Sequence, residues 1–292
     1  MKNGFLISSW SPNTGQTCTT ANLVAIATYV AVTCGLKQLL MSCQTQKSNL
    51  ESAYFDDTNT ELLLFEDTGI IALERLAVTK QLSLENFKDY AKTLIGKRLD
   101  IITGESNVNQ KANDEISATI NYIVSCARNC YDIVFCDAGA GFKNKTAMKI
   151  IENSDKIIVN LNQNIELLKH FFKSDDIKKI LDKKEYCIVL GNYEPNSIYT
   201  ARYIKRLFNY DDEIFTIPRN YDFMDAFNDH NVIEYFFSNY DVRREDSNYS
   251  FMNELRKTTE KIIGYLKIDK NLILCPIKSD SIFSQICTFL WK

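Results

Sequence analysis

The 292-residue sequence is poor in the residues that usually build linkers, with only four prolines and ten glycines. No Pro- or Gly-rich linker is visible before about residue 239, where the polar stretch NYDVRREDSNYS begins. Beyond it, Phe251, Leu255 and Ile262 fall at helical spacing. We therefore predict one large domain over residues 1–238 and a C-terminal helical extension over residues 239–292.

Long apolar runs and an excess of charge of either sign are also lacking. No window approaches the about 20 apolar residues of a membrane span, and MKNGFLISSW lacks the features of a signal peptide. The sequence therefore predicts a cytoplasmic protein, with peripheral association at a membrane or nucleoid left open. The net charge of −3 and the mixing of both signs give no electrostatic footprint for nucleic acid. DNA stays open as a partner without support from charge.

Clusters typical of metal sites or nucleophilic catalysis are missing as well. The nine cysteines include no pair at two-residue metal spacing, so we interpret them as reduced core residues. Cys126 and Cys130 lie four apart in a helical pattern, but two thiols without nearby histidines make a poor zinc site. His170 and His230 stand apart from any nucleophile or ligand cluster, which favours a structural or solvent-facing role.

Short apolar runs alternate with helical patterns along the chain. The runs are often β-branched and bounded by polar residues or glycine, which predicts buried strands at 5–9, 38–43, 99–103, 132–136, 156–161, 186–190 and 213–217. Helices are predicted at 17–34, 115–127, 146–153, 165–172, 197–208 and 223–237. This alternation predicts an α/β fold with a doubly wound, mostly parallel sheet and helices on both faces. Residues 51–98 break the rhythm, and we predict a helical insertion there.

The stretch SSWSPNTGQTCTTANLVAIA, residues 8–27, combines a strand, a turn and the start of a helix. Backbone N–H groups and a helix N-terminus bind phosphate in this context. A standard phosphate loop reads Gly, four residues, then Gly-Lys-Ser/Thr, and only Gly15 and Thr17 of that pattern remain. An ordinary strand-to-helix turn capped by threonine stays open as the alternative.

Further segments follow this stretch in a recognisable order: QLLMSCQTQKSNLE, LDIITGE, YDIVFCDAGAGF, SDKIIVNLNQN, YCIVLGNYEPN and FTIPRNYDFMDAFNDHNVIEYF. Over residues 3–237 the chain resembles the ParA/MinD family of deviant Walker A ATPases, which are P-loop NTPase-like proteins. The family loop reads Lys-Gly-Gly-x-Gly-Lys-Thr-Thr, with Ala-Asn-Leu on the helix. The matching residues are Gly15, Thr17, Thr19, Ala21, Asn22, Leu23 and the DAGAG segment at Asp137.

The resemblance implies a site for ATP or ADP with Mg²⁺. It makes Thr17 the hydroxyl ligand of Mg²⁺ and Asp137 the acid that holds the water shell of the ion. Gly139 and Gly141 would belong to a mobile switch after Asp137. The phosphate-binding residues would be Asn13, Thr14, Gly15, Gln16, Thr17 and Cys18, and the resemblance places Asn192 and Pro218 at the adenine.

Several positions depart from the family pattern. Ser11 occupies the position of the lysine that reaches across the family's dimer interface, and Gln16 occupies the position of the phosphate-loop lysine. After the second predicted strand, the acidic Asp-x-Asp-x-Gln segment reads SCQTQ, so Ser42 and Gln44 replace both acids. Gln16 donates only a neutral hydrogen bond, which predicts weak nucleotide binding. The loss of two lysines and of the water-positioning acid predicts negligible hydrolysis.

The C-terminal residues 281–292 carry an apolar stripe at Ile282, Phe283, Ile286, Phe289 and Leu290. Lys292 is the only cation in this segment, whereas membrane-surface helices usually present several, so docking on the protein's own core or on a partner is preferred over membrane contact.

We predict a ParA/MinD-like switch, a homodimer, that positions or assembles a partner protein of a partition, conjugation, secretion or pilus system, with weak or absent hydrolysis. A non-catalytic scaffold acting through protein contacts and an active ATPase are the alternatives.

Overall fold

The computed structural model describes residues 4–42, 50–56, 69–104, 110–264 and 266. The strands are β1 (Phe5–Ser11), β2 (Gln38–Ser42), β3 (Lys92–Ile95), β4 (Leu99–Ile102), β5 (Ile133–Ala140), β6 (Lys156–Leu161), β7 (Tyr186–Tyr193) and β8 (Ile214–Pro218). The α-helices are α1 (Thr19–Thr33), α2 (Gly69–Val78), α3 (Gln110–Cys130), α4 (Lys145–Asn153), α5 (Ile165–Lys173), α6 (Asp175–Leu181), α7 (Ala201–Leu207), α8 (Tyr221–Asn228), α9 (Val232–Asn239) and α10 (Tyr249–Gly264). Short 3₁₀ turns cover Glu51–Ala53 and Phe87–Tyr90.

The described strands form one sheet in the order β3-β4-β2-β5-β1-β6-β7-β8. All neighbours pair in parallel except β3, which is antiparallel to β4. The predicted doubly wound, mostly parallel sheet is therefore confirmed. β1 is central, and the chain leaves it toward β2 on one side and reaches β6 on the other. This is the topological switch point at which open α/β sheets leave a crevice beyond the carboxyl ends of their strands.

Helices cover both faces of the sheet because successive side chains of a strand point to opposite faces. Ile7 of β1 packs in one core cluster with α1, whereas Leu6 packs with α2 and α3 on the other face. Trp10 joins a third cluster with α4, α5 and α6. Every residue of β1 except Phe5 is buried, as expected for the middle strand of a covered parallel sheet.

The described part of the predicted C-terminal extension belongs to the main core. Phe251, Leu255 and Ile262 of α10 are buried in the same cluster as α1. The helix α1 is covered by the sheet on one side and by α9 and α10 on others, so twelve of its fifteen residues are buried. The apolar stripe of residues 281–292 lies outside the described residues.

Two predicted elements differ from the structure. The segment 51–98 was expected to be helical, but Lys92–Ile95 forms the edge strand β3, which a tight turn with Lys97 at φ 63° joins to β4. Both strands bury apolar side chains against the sheet's core, which outweighs the helical pattern of the preceding residues. The predicted helix 223–237 is divided into α8 and α9 by His230, whose φ of 61° interrupts helical geometry.

The helices within the described ranges are each too short or too polar to cross a lipid bilayer.

Candidate functional site

The loop after β1 and the end of β5 meet at the carboxyl edge of the sheet. Ser9 pairs with Asp137 in register, and Ser11 pairs with Ala140. The backbone N–H of Gly141 then donates to the carbonyl of Ser11 at 2.8 Å. The structure thus brings the predicted loop and the predicted acid to one edge at the switch point of the fold.

Residues 11–18 form a loop whose base is closed and whose tip is open. Ser11 is fully buried, and its hydroxyl donates to the carbonyl of Asn13 at 3.0 Å and accepts from the Asn13 N–H at 3.2 Å. At the tip, a Cβ added to Gly15 would meet no atom within 4 Å. The exposed residues are Thr14, Gly15, Gln16 and Cys18. The side of the loop that would face a nucleotide is therefore accessible.

The helix after this loop begins at Thr19, and this start decides which hydroxyl faces Asp137. Cys18 precedes it in a left-handed conformation with φ 54°. The Thr20 hydroxyl donates to Oδ2 of Asp137 at 2.6 Å, whereas the buried Thr17 hydroxyl pairs with that of Thr19 at 3.0 Å. The sequence singled out Thr17 for the metal and missed Thr20, although both belong to the run Thr-Cys-Thr-Thr.

Asp137 is fully buried and orders the segment that follows it. Its Oδ1 accepts from the Gly139 N–H at 2.9 Å. Gly139 and Gly141 have φ values of 67° and 80°, a region that L side chains rarely adopt. Trp10 Nε1 donates to the Gly141 carbonyl at 3.0 Å, which ties this segment to β1. The predicted switch therefore lies beside the loop of residues 11–18.

A hydrogen-bond network of two asparagines, which was not predicted from the sequence, supports the loop from the interior of the protein. Buried Asn22 donates to Oδ1 of Asn160 at 2.8 Å, and Asn160 donates to the Ser9 hydroxyl at 2.8 Å. Asn22 also reaches the Thr17 carbonyl at 3.4 Å. A Cβ on Gly191 would lie 2.5 Å from the Asn22 amide nitrogen and 2.7 Å from that carbonyl. Polar residues in β1, β6 and α1 thus hold the loop in place.

The residues predicted to contact adenine lie farther along the same edge. Asn192 is exposed with φ 48° at the end of β7, and Pro218 is buried at the end of β8, where it pairs with Tyr193. With parallel strands about 4.8 Å apart, β7 and β8 lie about 10 and 14 Å from β1. The loop and the predicted base contacts therefore lie one after another along the same edge.

The residues of this edge fit a magnesium nucleotide. The side-chain nitrogen of Asn13 is buried and has no hydrogen-bond partner among the described residues, so the loop holds a donor that an anionic oxygen would satisfy. The oxygens of Thr17, Thr20 and Asp137 are of the hard type that Mg²⁺ prefers, and Mg²⁺ is commonly held by one or two carboxylates together with phosphates. No group of three or more His, Cys, Asp or Glu side chains in the described ranges is placed to hold a metal.

A second buried acid, Glu51, lies near this edge and was not singled out in the sequence. Its side chain is 8% exposed, and its Oε1 accepts from the Gly104 N–H at 2.5 Å. Burial raises the pKa of the Glu51 carboxyl, the Gly104 hydrogen bond opposes this, and the negative charge of Asp137 adds to it. The two carboxylates are therefore close enough to interact electrostatically.

The remaining sequence predictions concern the replaced acids, the two histidines and one pair of cysteines. Ser42, which replaces a family acid, is buried at the end of β2, and Gln44 lies outside the described residues. His170 is exposed on α5, and the ring of His230 contacts the Ser52 carbonyl. Cys126 is buried and Cys130 is partly exposed on α3.

Comparison with known proteins yields structural neighbours only. No protein-family model and no curated protein sequence matches the chain. A ParA family ATPase from Chlorobium tepidum superposes with a TM-score of 0.66 and 12% identity, covering 89% of this chain and 99% of that one.

Two further neighbours carry nucleotides. The septum site-determining protein MinD from Pyrococcus horikoshii, complexed with Mg-ADP, gives a TM-score of 0.64 and 17% identity over 91% of this chain and all of that one. A putative plasmid partition protein from Borrelia burgdorferi, bound to AMPPNP, gives 0.62 and 12% over 90% and 100%. The chain therefore has the ParA/MinD-like fold that its sequence resembles.

Proposed function

We propose that the protein is a nucleotide-binding switch that takes ATP or ADP with Mg²⁺ at the carboxyl end of β1 and hydrolyses it weakly or not at all. The observation that carries this proposal is the buried side-chain nitrogen of Asn13, which has no hydrogen-bond partner among the described residues, in a loop that follows the strand paired with Asp137 at the switch point of the sheet. A merely structural turn has no need of a buried donor without an acceptor.

Each group in the site has a distinct task in this proposal. The backbone N–H groups of residues 14–18 and the side-chain amide of Asn13 would donate to phosphate oxygens, while Gln16 extends from the open tip of the loop. Thr17, Thr20 and Asp137 would hold Mg²⁺ directly or through its water. The bound ion would offset phosphate charge that the loop, lacking a lysine, leaves uncompensated. Asn192 and Pro218 would contact the base.

Weak or absent hydrolysis follows from the groups that the loop offers. Ser11 stands at the position of the crossing lysine, but its hydroxyl is buried and engaged by Asn13, so it reaches no neighbouring subunit. Gln16 is exposed and neutral. Cationic groups around the transferred phosphoryl group can contribute about 10³- to 10⁵-fold in rate. These two positions contribute no charge to the transition state.

The partner class is proposed from the neighbours' names. One neighbour is named for determining the septum site and another for plasmid partition. A switch of this fold, acting as a homodimer, would position or assemble a partner protein of a partition, conjugation, secretion or pilus system. DNA and a membrane contact through residues 281–292 remain proposals that net charge and composition support less.

One observation favours a second candidate, a scaffold that kept the fold without the ligand. Thr17 is 2% exposed and its hydroxyl pairs with that of Thr19, so the hydroxyl expected at the metal is turned inward in the structure. Binding would require either a rotation of this side chain or the use of Thr20. A scaffold would require neither change.

Thermal unfolding with and without Mg·ADP separates the two candidates. A ligand that binds only the folded state adds RT ln(1 + [L]/Kd), which is about 2.7 kcal/mol at 100 times Kd. We expect a rise in Tm for the wild type that Asp137→Ala diminishes, together with phosphate release no faster than in that variant. An unchanged Tm at saturating Mg·ADP and Mg·ATP would support the scaffold. Phosphate release of about 1 to 100 per second, abolished in Asp137→Ala, would establish an active ATPase.

A further inference from the structure

Glu51 lies over the carboxyl ends of two strands that flank the proposed site. Its Oε1 accepts from Gly104, which comes two residues after the end of β4. A Cβ built on Gly104 would lie 3.4 Å from that oxygen and 3.7 Å from the Ser42 Cβ. Ser42, at the end of β2, pairs in register with Asp137 of β5. Glu51 thus contacts the backbone just after β4, and β4 lies two strand spacings, roughly 10 Å, from the strand β5 that carries Asp137.

The segment that carries Glu51 is held from several sides. Leu50 and Ala53 on either side are fully buried. The Tyr54 hydroxyl lies 2.7 Å from the Thr28 hydroxyl of α1, and the ring of His230 contacts the Ser52 carbonyl. The position of the Glu51 side chain is therefore set by the core rather than by a loose loop.

A glutamate is rarely buried to this extent without a charged partner or a metal. The hydrogen bond from Gly104 satisfies part of one oxygen, and the nearby Asp137 has the same charge sign. A buried carboxylate held toward this edge fits the neighbourhood of the Mg²⁺ that the proposed function places beside Asp137, because a nearby cation favours the charged form of an acid.

We propose that Glu51 is a positioning residue for the metal end of the site, supplying a carboxylate where Ser42 and Gln44 have replaced the acids after β2. This inference rests on the proposed function. Mg²⁺ usually keeps several of its waters, so a carboxylate a few ångströms beyond the ion acts by accepting hydrogen bonds from them. Glu51 reaches the same edge from a different segment of the chain. It thereby supplies a negative charge in place of the acids that Ser42 and Gln44 have replaced.

The test measures how Mg²⁺ changes the affinity for ADP, by fluorescence titration of a labelled ADP in excess EDTA and in excess Mg²⁺. Glu51→Gln keeps the shape of the side chain and an oxygen that can accept from Gly104, and it removes the charge. We expect this variant to bind ADP in EDTA as tightly as the wild type does. In excess Mg²⁺ its affinity for ADP should be about 10-fold lower than that of the wild type, which is the lower end of the range for residues that support a metal's ligands.

Asp155→Asn is the matched control because Asp155 also accepts a backbone N–H, from Leu6 at 2.7 Å, at the opposite edge of the sheet. Its Mg²⁺-dependent gain should equal that of the wild type. If Glu51→Gln does not fold, Glu51→Asp, which keeps the charge on a shorter side chain, should lose part of the gain.

The outcomes separate this inference from the proposed function. A full Mg²⁺-dependent gain in folded Glu51→Gln, or in Glu51→Asp when only that variant folds, would overturn the assignment of Glu51 while leaving nucleotide binding intact. No ADP binding by the wild type in either condition would overturn the proposed function, and the assignment of Glu51 would fall with it.

Discussion

Acidic side chains accept hydrogen bonds from backbone N–H groups at both the amino and the carboxyl edge of the sheet, but the other partners of these acids differ between the two edges. At the amino edge, Asp155 accepts from Leu6 and forms an ion pair with Arg128 at 2.9 Å. At the carboxyl edge, Asp137 accepts from the Thr20 hydroxyl and the Gly139 N–H, and Glu51 accepts from Gly104. The acid at the amino edge is thus paired with an arginine, whereas both acids at the carboxyl edge accept from hydroxyl or backbone N–H donors, and the proposed Mg²⁺ would lie at that second edge.

The side chains around each edge follow the same division. Asp155 and Arg128 are 34% and 23% exposed, so water screens their charges and the pair contributes little to stability. Asp137 is completely buried and Glu51 nearly so. Charges placed in a buried environment interact strongly with whatever binds there. The comparison teaches that the burial of an acid and the kind of donor that holds it are the features that set the proposed binding edge apart from the amino edge.

Replacing the acid at the carboxyl edge by its amide should have the largest effect on ADP binding, whereas the same replacement at the amino edge should have none. Asp137→Asn should lower the Mg²⁺-dependent affinity for ADP by about 10- to 100-fold, the range seen when groups that support a bound metal are lost. Asp155→Asn should leave that affinity unchanged and reduce the free energy of unfolding by about 1 kcal/mol or less, since its ion pair is partly exposed. Calorimetric titration and thermal unfolding measure the two effects. Equal losses of affinity in both variants would erase the distinction between the edges.

Filling the space beside the asparagine network should perturb the carboxyl edge next most strongly. In Gly191→Ala the added Cβ would meet the Asn22 amide at 2.5 Å and the Thr17 carbonyl at 2.7 Å. We expect a loss of about 1–3 kcal/mol in the free energy of unfolding, as for other overpacked sites, and weaker ADP binding. Gly96→Ala is the control, because a Cβ there meets nothing within 4 Å. Denaturant unfolding that ranks the two variants equally would contradict this account of Gly191.

Restoring one charge at the tip of the loop should have a smaller effect. Gln16→Lys exchanges a neutral donor for a charged one, a difference of about 1 kcal/mol or about fivefold tighter ADP binding. Turnover should stay low because the other lysine and the acids after β2 are still absent. Gln81→Lys, the same change at an exposed residue, should leave ADP affinity at the wild-type value. A Gln16→Lys protein with rapid phosphate release would show that this single position had limited catalysis.

The smallest effect is expected at the amino edge, at Lys156 in the first position of β6. Burial lowers the pKa of Lys156, an effect that Cys187, Glu185 and Asp212 partly offset. The folded state therefore binds this proton less tightly than the unfolded state, so stability decreases as pH falls from the ordinary lysine pKa through the lowered one. Lys156→Met should be more stable than the wild type at neutral pH, with the difference in Tm shrinking toward alkaline pH. A difference that grows with pH would reverse the sign of the proposed burial effect.

Hydrophobic patterning predicted most of the fold because it records which faces of each element are buried. The run at β6 was predicted with its observed bounds, and the other predicted strands coincide with observed ones to within a few residues. The edge strand β3 was missed because four residues of mixed character carry too little pattern to separate a strand from the end of a helical segment. The hydrogen bonds that pair β3 with β4 depend on how the two segments meet in space, and hydrophobic patterning does not record such pairing.

The sequence by itself determined the alternation of strands and helices, the strand-loop-helix unit at β1 and α1, and the candidate acid at the end of β5. These depend on local periodicity and on short motifs, which a single chain segment contains. Only the tertiary structure decided that Thr20 faces Asp137, that Asn22 and Asn160 support the loop across 138 residues, and that Glu51 reaches the same edge. The reason is physical: hydrogen bonds and electrostatic interactions depend on distance in space, and the sheet brings together strand ends that are far apart along the chain.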